Sequence, residues 1–241
     1  MRADVFLVEN GYAKSRSEAQ AAIREGLVRM DGAIVGKPSQ TVPASAAIEY
    51  EKPHPYVSRG GVKLAAGLDH FGLSPEGRVC LDLGASTGGF TQVLLQRGAA
   101  RVYAMDVGHG QMEAELAQDP RIVVRDGINA RDLTPADLPE AINAITADLS
   151  FISLKLALPP ALSLASKGAW AVLLVKPQFE VGRDAVGKGG IVRDKAAREA
   201  TVSGIAEFIA AQIGWRTLGH IESPIQGGDG NIEYLLAALK T

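Results

Sequence analysis

The spacing of apolar residues changes once along this chain, near residue 55. Before that point the pattern is short and local. Val5, Phe6 and Val8 fit a short helix that Asp4 can cap and Gly11 ends. Ser15-Arg16-Ser17-Glu18 has the spacing of a capping box, and the helix it opens runs to Gly26 and buries Ala19, Ala22 and Ile23. Val28-Arg29-Met30 and Ala33-Ile34-Val35 flank Asp31-Gly32, the strongest short hairpin signal. Ile48 and Tyr50 fit one more short strand. Residues 1–50 therefore read as a small α+β domain. A linker over 51–59 follows, because Pro53 and Pro55 in Lys52-Pro53-His54-Pro55 remove backbone donors.

Beyond the linker the pattern is longer and alternates in type. Strands are expected near 78–83, 101–106, 121–125, 142–148, 170–175, 215–221 and 232–238. Helices are expected near 61–71, 89–97, 111–118, 154–166 and 194–212. This alternation predicts an α/β domain over 60–241, with a mostly parallel sheet covered by helices on both faces. No helical pattern separates the last two strands, so an antiparallel edge is expected there.

The first strand of this domain runs into a glycine-rich turn: Asp82, Gly84, Ala85, Ser86, Gly88, Gly89, then Phe90 as a helix opens. A dinucleotide fold uses G-x-G-x-x-G with a pyrophosphate on the helix N-terminus. Here the glycines are spaced differently and a carboxylate ends the strand. A carboxylate repels an anion and welcomes an amino group or a sulfonium, so the turn reads as a pocket for S-adenosylmethionine (SAM). Three more acids end predicted strands: Asp106 before Val107, Asp126 before Gly127, and Asp148. Asp106 falls about 20 residues after the turn, where an acid accepts ribose hydroxyls. Asp126 fits a place beside the adenine amino group. Any one of them alone would be an ordinary cap or turn residue. Four in register line one crevice.

Lys176 ends the apolar run Ala171-Val172-Leu173-Leu174-Val175, where an unpaired cation is costly to bury. Lys63 follows Arg59-Gly60-Gly61 at a helix start, where the helix dipole gives a cation nothing. Glu233 sits in Asn231-Ile232-Glu233-Tyr234, in a strand pattern near the sheet edge. The loop 178–193, with Gly182, Gly187, Gly189, Gly190, Arg183, Lys188 and Arg193, is expected to be mobile and to close over a substrate near Lys176.

Composition narrows the class. The 241 residues are 46% hydrophobic, enough for a substantial core. No apolar run reaches the roughly 18 residues that span a bilayer, and the N-terminus lacks a signal-peptide pattern. The single cysteine, Cys80, cannot form an internal disulfide, and a cytoplasmic location is expected. Net charge is −2, and residues 1–50 carry six basic and six acidic residues. Bulk charge thus gives no case for nucleic acid, and any such case rests on where Lys14, Arg16 and Arg24 point. The four histidines at 54, 70, 109 and 220 are scattered, so no metal site is expected.

Two resemblances add to this. The ordered set Arg2-x-Asp4, Ser15-Arg16-Ser17, Ala19, Arg24-x-Gly26-x-Val28 and Asp31-Gly32 resembles the S4-type RNA-binding domain. It implies RNA contacts through Arg2, Lys14, Ser15, Arg16, Arg24 and Lys37, with Arg59 at the end of the linker. The stretches Asp148-Leu149-Ser150-Phe151-Ile152-Ser153-Leu154, Val175-Lys176-Pro177-Gln178-Phe179-Glu180-Val181-Gly182 and Gly230-Asn231-Ile232-Glu233-Tyr234 look like the TlyA family. Those are ribosomal RNA ribose 2′-O-methyltransferases, also labelled haemolysins, with an FtsJ-like catalytic domain. The resemblance implies a Rossmann-like SAM-dependent methyltransferase whose catalytic residues are Lys63, Asp148, Lys176 and Glu233. It also implies ribosomal RNA or a ribosomal subunit as partner, no membrane, and a monomer. Neutral Lys176 would take the proton of a 2′-hydroxyl. Longer family members carry a C-terminal extension, whereas this chain stops at Lys240-Thr241; the short form implies a cytidine in large-subunit RNA, with the small subunit as the other candidate. The linker stretch Lys52-Pro53-His54-Pro55 differs from the family's usual arginine-containing interdomain segment. A non-catalytic RNA-binding scaffold and a membrane-lytic protein are the competing classes. No suitable amphipathic segment supports the second.

Overall fold

The strands and helices of the computed structural model fall into two units, Met1–Pro55 and Tyr56–Thr241, and residues 1–182 and 186–241 are described. Arg183, one of the cations expected in the 178–193 loop, lies outside the described residues. Of the segment expected as a linker, Tyr56 packs against the core of the second unit and Val57 N donates to Gln92 Oε1 at 2.7 Å. The second unit thus begins before residue 60.

In the first unit α1 (Ala3–Glu9) and α2 (Arg16–Arg24) pack on a three-stranded sheet of β1 (Val28–Met30), β2 (Ala33–Ile34) and β3 (Ile48–Tyr50), in the order β2-β1-β3. The Asp31-Gly32 hairpin forms, and both residues take the positive φ that a two-residue turn needs, 51° and 81°. Ser15 caps α2 through Glu18 N at 3.2 Å. The reciprocal arm differs from a capping box, because Glu18 Oε2 accepts from Lys14 N. Asp4 does not cap α1. It lies inside the helix, fully buried, and accepts from Arg2, Arg16 and Gln20. The Arg2 pair, the larger effect, and the other donors hold its carboxyl well below the usual carboxylate range against the cost of burial.

The second unit is a seven-stranded sheet in the order β6-β5-β4-β7-β8-β10-β9. Its strands are β4 (Val79–Leu83), β5 (Arg101–Asp106), β6 (Ile122–Asp126), β7 (Ile142–Ala147), β8 (Ala165–Val175), β9 (Trp215–Glu222) and β10 (Tyr234–Lys240). Its helices are α3 (Gly60–Phe71), α4 (Gly89–Gln96), α5 (Ala114–Ala117), α6 (Leu154–Ala157), α7 (Pro159–Leu164), α8 (Pro177–Glu180) and α9 (Lys195–Ala210). Alternate strand residues feed two cores. Trp170, Val172 and Leu174 face α3 and α4 with Leu64, Leu68 and Leu94. Ala171, Leu173 and Val175 face α6, α7 and α9 with Leu158, Leu162 and Ile205. A sheet covered on both faces needs such continuous apolar runs. Cys80 is buried in the sheet, and burial pushes its thiol up to about 12, so it is inert.

Two expectations are corrected and a third is given its place. The helix expected over 111–118 shrinks to 114–117, because Gly110 N is drawn to Asp126 Oδ2 and Glu113 N to Thr87 O. The helix expected over 154–166 breaks at Pro159-Pro160, whose missing N–H groups end one turn and start the next. The antiparallel edge expected of the last two strands forms, with β9 and β10 paired at one end of the sheet. β10 inserts between β8 and β9 and runs against both. This last point places chemistry. The start of β10 lies at the end where the parallel strands finish, with Tyr234 opposite Val175. Glu233, just before β10, therefore stands beside Lys176, just after β8.

Candidate active site

The strand order reverses at β4, with β5 on one side and β7 on the other. A crevice opens there beyond the carboxyl ends of the strands, as this topology requires. Its volume is about 990 Å³. Gly84, Ser86, Asp106, Val107 and Asp148 line it, as do Gln111, Ile128, Asn129, Phe151 and Phe179.

The glycine turn is tight for a steric reason. A Cβ on Gly84 would stand 2.5 Å from the carbonyl oxygen of Asp148, and φ there is +79°. Gly84 N and Ala85 N both donate to Met105 O, at 2.8 and 3.1 Å. Ser86 takes φ of 46° and is held by its N–H on Asp106 Oδ2 at 2.9 Å. Gly108 N donates to the other oxygen at 2.7 Å. Asp106 thus braces the turn and faces the crevice together. Each of its oxygens keeps a free lone pair. Gly88, Gly89 and Phe90 are buried behind the turn, where Gly89 packs against Ser58 and Gly61.

Asp82 is not on the crevice wall. It is 0% exposed, and its oxygens accept from Thr91 Oγ1 at 2.6 Å and Thr146 Oγ1 at 2.9 Å. Burial pushes its carboxyl up to about 6, the two hydroxyls pull it back, and Asp148 adds a smaller push upward. Asp126 is also off the wall. It is exposed and pins Gly110 N, and Gly127 lies beside His109. The crevice is lined at that level by Ile128 and Asn129 instead. Sequence pattern could not separate these roles, since all four acids end strands.

On the other side of the crevice stand two ion pairs. Lys176, 9% exposed, has Nζ 2.7 Å from Asp148 Oδ1 and donates to Ser150 Oγ at 2.8 Å. Asp148 Oδ1 accepts no aligned hydrogen bond among the described residues, so charge holds that pair. Lys63, on α3, donates to Glu233 Oε2, and both residues are buried. The pairs are neighbours. A Cβ on Gly60, one turn before Lys63, would lie 3.5 Å from Asp148 Oδ2. A Cβ on Gly227 would stand 2.6 Å from Glu233 Oε1 and 2.9 Å from Asp229 Oδ1. Asp229 is an unexpected member. Burial would raise its carboxyl, but Asn231 N–H groups and the Lys176 charge hold it below the usual carboxylate range. Buried Asn231 also bonds Gly190 O and Val192 N, pinning the 187–192 part of the loop expected to be mobile.

Phe151 was not singled out by pattern. It is 90% exposed, takes φ of 63°, and its ring lies 5.0 Å from that of Phe179. Its only sequence signal is an aromatic next to a strand-end acid. Among the expected RNA residues, Arg2 and Arg16 converge on Asp4, Arg24 reaches Gln20 Oε1 at 3.4 Å, and Lys14 and Lys37 are exposed. Ser15 Oγ is engaged by Glu18 N. Arg59 precedes α3, and its Nη2 would lie 3.6 Å from a Cβ on Gly228. Among the described residues no His, Cys, Asp and Glu group could hold a metal, and no helix is long and apolar enough to cross a membrane.

A doubly wound sheet with this strand order, a glycine turn and a crevice at its reversal point is the architecture of a Rossmann-like methyltransferase. Residues 56–240 match the FtsJ-like methyltransferase family, and residues 1–48 match the S4 domain. The 16S/23S rRNA (cytidine-2′-O)-methyltransferase TlyA of Mycobacterium tuberculosis is 46% identical over 237 residues, covering 98% of this chain and 88% of that one. Hemolysin A of Brachyspira hyodysenteriae is 40% identical over 236 residues, 98% of each chain. A solved structure assigned as a hemolysin, from Streptococcus thermophilus, superposes with a TM-score of 0.78 at 38% identity, over 100% of this chain and 88% of that one. The chain belongs to the FtsJ-like methyltransferase family and, within it, to the TlyA group.

Proposed function

We propose that this enzyme transfers the methyl group of SAM to the ribose 2′-hydroxyl of a cytidine in ribosomal RNA, with Lys176 as base. The observation that carries the reading is the pairing of Lys176 with Asp148 and of Lys63 with Glu233 at the rim of the methyltransferase crevice.

The crevice suits SAM on two observations: Gly84 brings two backbone segments to a distance no side chain permits, and Asp106 faces the space with free lone pairs. When bound, SAM supplies an electrophilic methyl on a positive sulfur. Gly84 and Ser86 would hold its amino-acid end, Asp106 its ribose hydroxyls, and Val107, Ile128 and Asn129 its adenine. Asp82, Ala85, Gly88, Gly89 and Phe90 act from behind, by shaping the turn. Asp126 and Gly127 act by bracing residues 107–110.

A ribose hydroxyl is a poor nucleophile until it loses its proton. Lys176, once it has given up its own proton, accepts that proton as the oxygen takes the methyl. The ammonium so formed has Asp148 and Ser150 ready to receive it. Lys63 and Glu233 orient the hydroxyl from the β10 side and keep the cluster's charges balanced. The exposed face of Phe151 offers a stacking surface for an unstacked base. The S4 domain adds phosphate contacts through Arg2, Arg16, Lys14, Arg24 and Lys37, and Arg59 adds one beside the site. Ser15 serves by fixing the start of α2. Every group in this account comes from one chain, so a monomer suffices, and a ribosomal substrate implies the cytoplasm.

The test is incorporation of labelled methyl from SAM into purified small and large ribosomal subunits. The expected result is 2′-O-methylcytidine, in the large subunit at least. No incorporation into either subunit while SAM binds would turn the reading to a non-catalytic scaffold.

A further inference from the structure

Two segments meet at the reacting centre. One is 148–154, from the end of β7 into α6. The other is 176–180, from the end of β8 through α8. Neither is a long regular element, since α6 and α8 have four residues each. Something other than helix propensity must fix their spacing. Lys176 bridges them to Asp148 and Ser150. Phe179 packs against Phe151 with the rings tilted at 47°. The remaining bridge is Glu180. Its Oε2 accepts from Ser153 Oγ at 2.6 Å and its Oε1 from Leu154 N at 2.7 Å.

Those two bonds have a geometric consequence. Ser153 caps α6, and Leu154 N is one of its first, otherwise unpaired N–H groups. Glu180 therefore fastens the start of α6 to the segment carrying Lys176, four residues away in sequence. Between Lys176's partners and this clamp lies Phe151, a non-glycine residue at φ of 63°. Such a conformation is unfavourable for a residue with a Cβ and persists only where its surroundings over-determine it. A loop fastened at Ser150 by Lys176 and at Ser153 and Leu154 by Glu180 is fastened on both sides of that residue.

We infer that Glu180 is a positioning residue for methyl transfer: its carboxylate holds the 148–154 segment so that Asp148, Ser150 and Phe151 meet Lys176 in one geometry. Glu180 itself lies outside the crevice wall and touches no expected substrate position. This rests on the reading of Lys176 as the base.

The test compares wild type with Glu180→Ala, using ribosomal subunits and SAM, with Lys176→Ala beside them. A loosened reacting group costs on the order of 100-fold in rate, so kcat should fall by about that factor in Glu180→Ala. SAM affinity by calorimetry should stay within about twofold, because the donor wall is untouched. Glu180→Gln keeps an acceptor for Leu154 N and should regain much of the rate. Should Glu180→Ala fail to fold, Glu180→Asp takes its place: it keeps the charge but falls one methylene short. A wild-type kcat in the folded variant, with Lys176→Ala inactive, overturns the inference and leaves the base assignment standing. Activity retained in Lys176→Ala overturns the assignment beneath it. A parallel loss of SAM binding and kcat would mark Glu180 as merely structural and overturn the inference too.

Discussion

The two sides of the crevice bury charge in opposite ways. Beneath the glycine turn, Asp82 is wholly enclosed, two hydroxyls serve it, and among the described residues no cation pairs with it. Across the crevice, two lysines are buried against two carboxylates. A lone buried carboxyl moves toward its neutral form, and Asp82 is pushed up to about 6. A buried pair offsets much of its desolvation by mutual attraction, with little net gain in stability. Asp82 therefore helps to hold a backbone shape, and the proton transfer proposed above falls to the paired side.

The largest effect that would break this contrast is on the acceptor side. Lys176→Ala should cut transfer by about 10²–10⁴-fold while SAM still binds, read by label incorporation and calorimetry on one sample. Next is Glu233→Ala, which strands the Lys63 ammonium. Removing one partner of a buried pair costs about 3–5 kcal/mol, so denaturant unfolding should show a loss of that size. Replacing both partners by apolar residues should recover most of it. On the donor side Asp82→Asn tests the opposite logic. The folded value of Asp82 lies above its ordinary one, so its stability contribution is full below about pH 4 and is lost as pH rises through 6. Relative to the variant, wild type should lose up to roughly 3 kcal/mol between pH 4 and 7. An equal pH profile in both proteins would show that Asp82 titrates normally. Asp106→Ala should weaken SAM by about 10–100-fold, as expected for charge-assisted bonds of about 1.5–3 kcal/mol. Arg16→Ala should have the smallest effect. It should lower RNA affinity alike for all sequences and reduce the salt slope by about one.

The sequence made the sheet legible where the apolar runs were long, as at Ala171–Val175, and the acids at strand ends announced the crevice. It missed what depends on strand order. Glu233 read as a strand residue near the edge, but nothing in the local pattern says that β10 lies between β8 and β9 and so brings it beside Lys176. Asp82 and Asp126 read like Asp106, since a strand-end acid has the same signature whether it faces the crevice, the core or a neighbouring turn. Glu180 was silent because its partners lie 27 and 26 residues away, Asp229 because the Lys176 charge that bears on it follows a different strand, and Phe151 because exposure itself is the feature. Asp4 was misread for the opposite reason: a cap signature at a helix start, and a buried carboxylate serving three donors from two helices.

The most direct measurement is a map of 2′-O-methylated cytidines in both ribosomal RNAs from a strain lacking this enzyme. The same strain re-expressing wild type or Lys176→Ala completes the comparison. The account predicts at least one 2′-O-methylcytidine that disappears on deletion, returns with wild type and stays absent with Lys176→Ala. An unchanged map, or a lost methyl that proves to sit on a base, would contradict it.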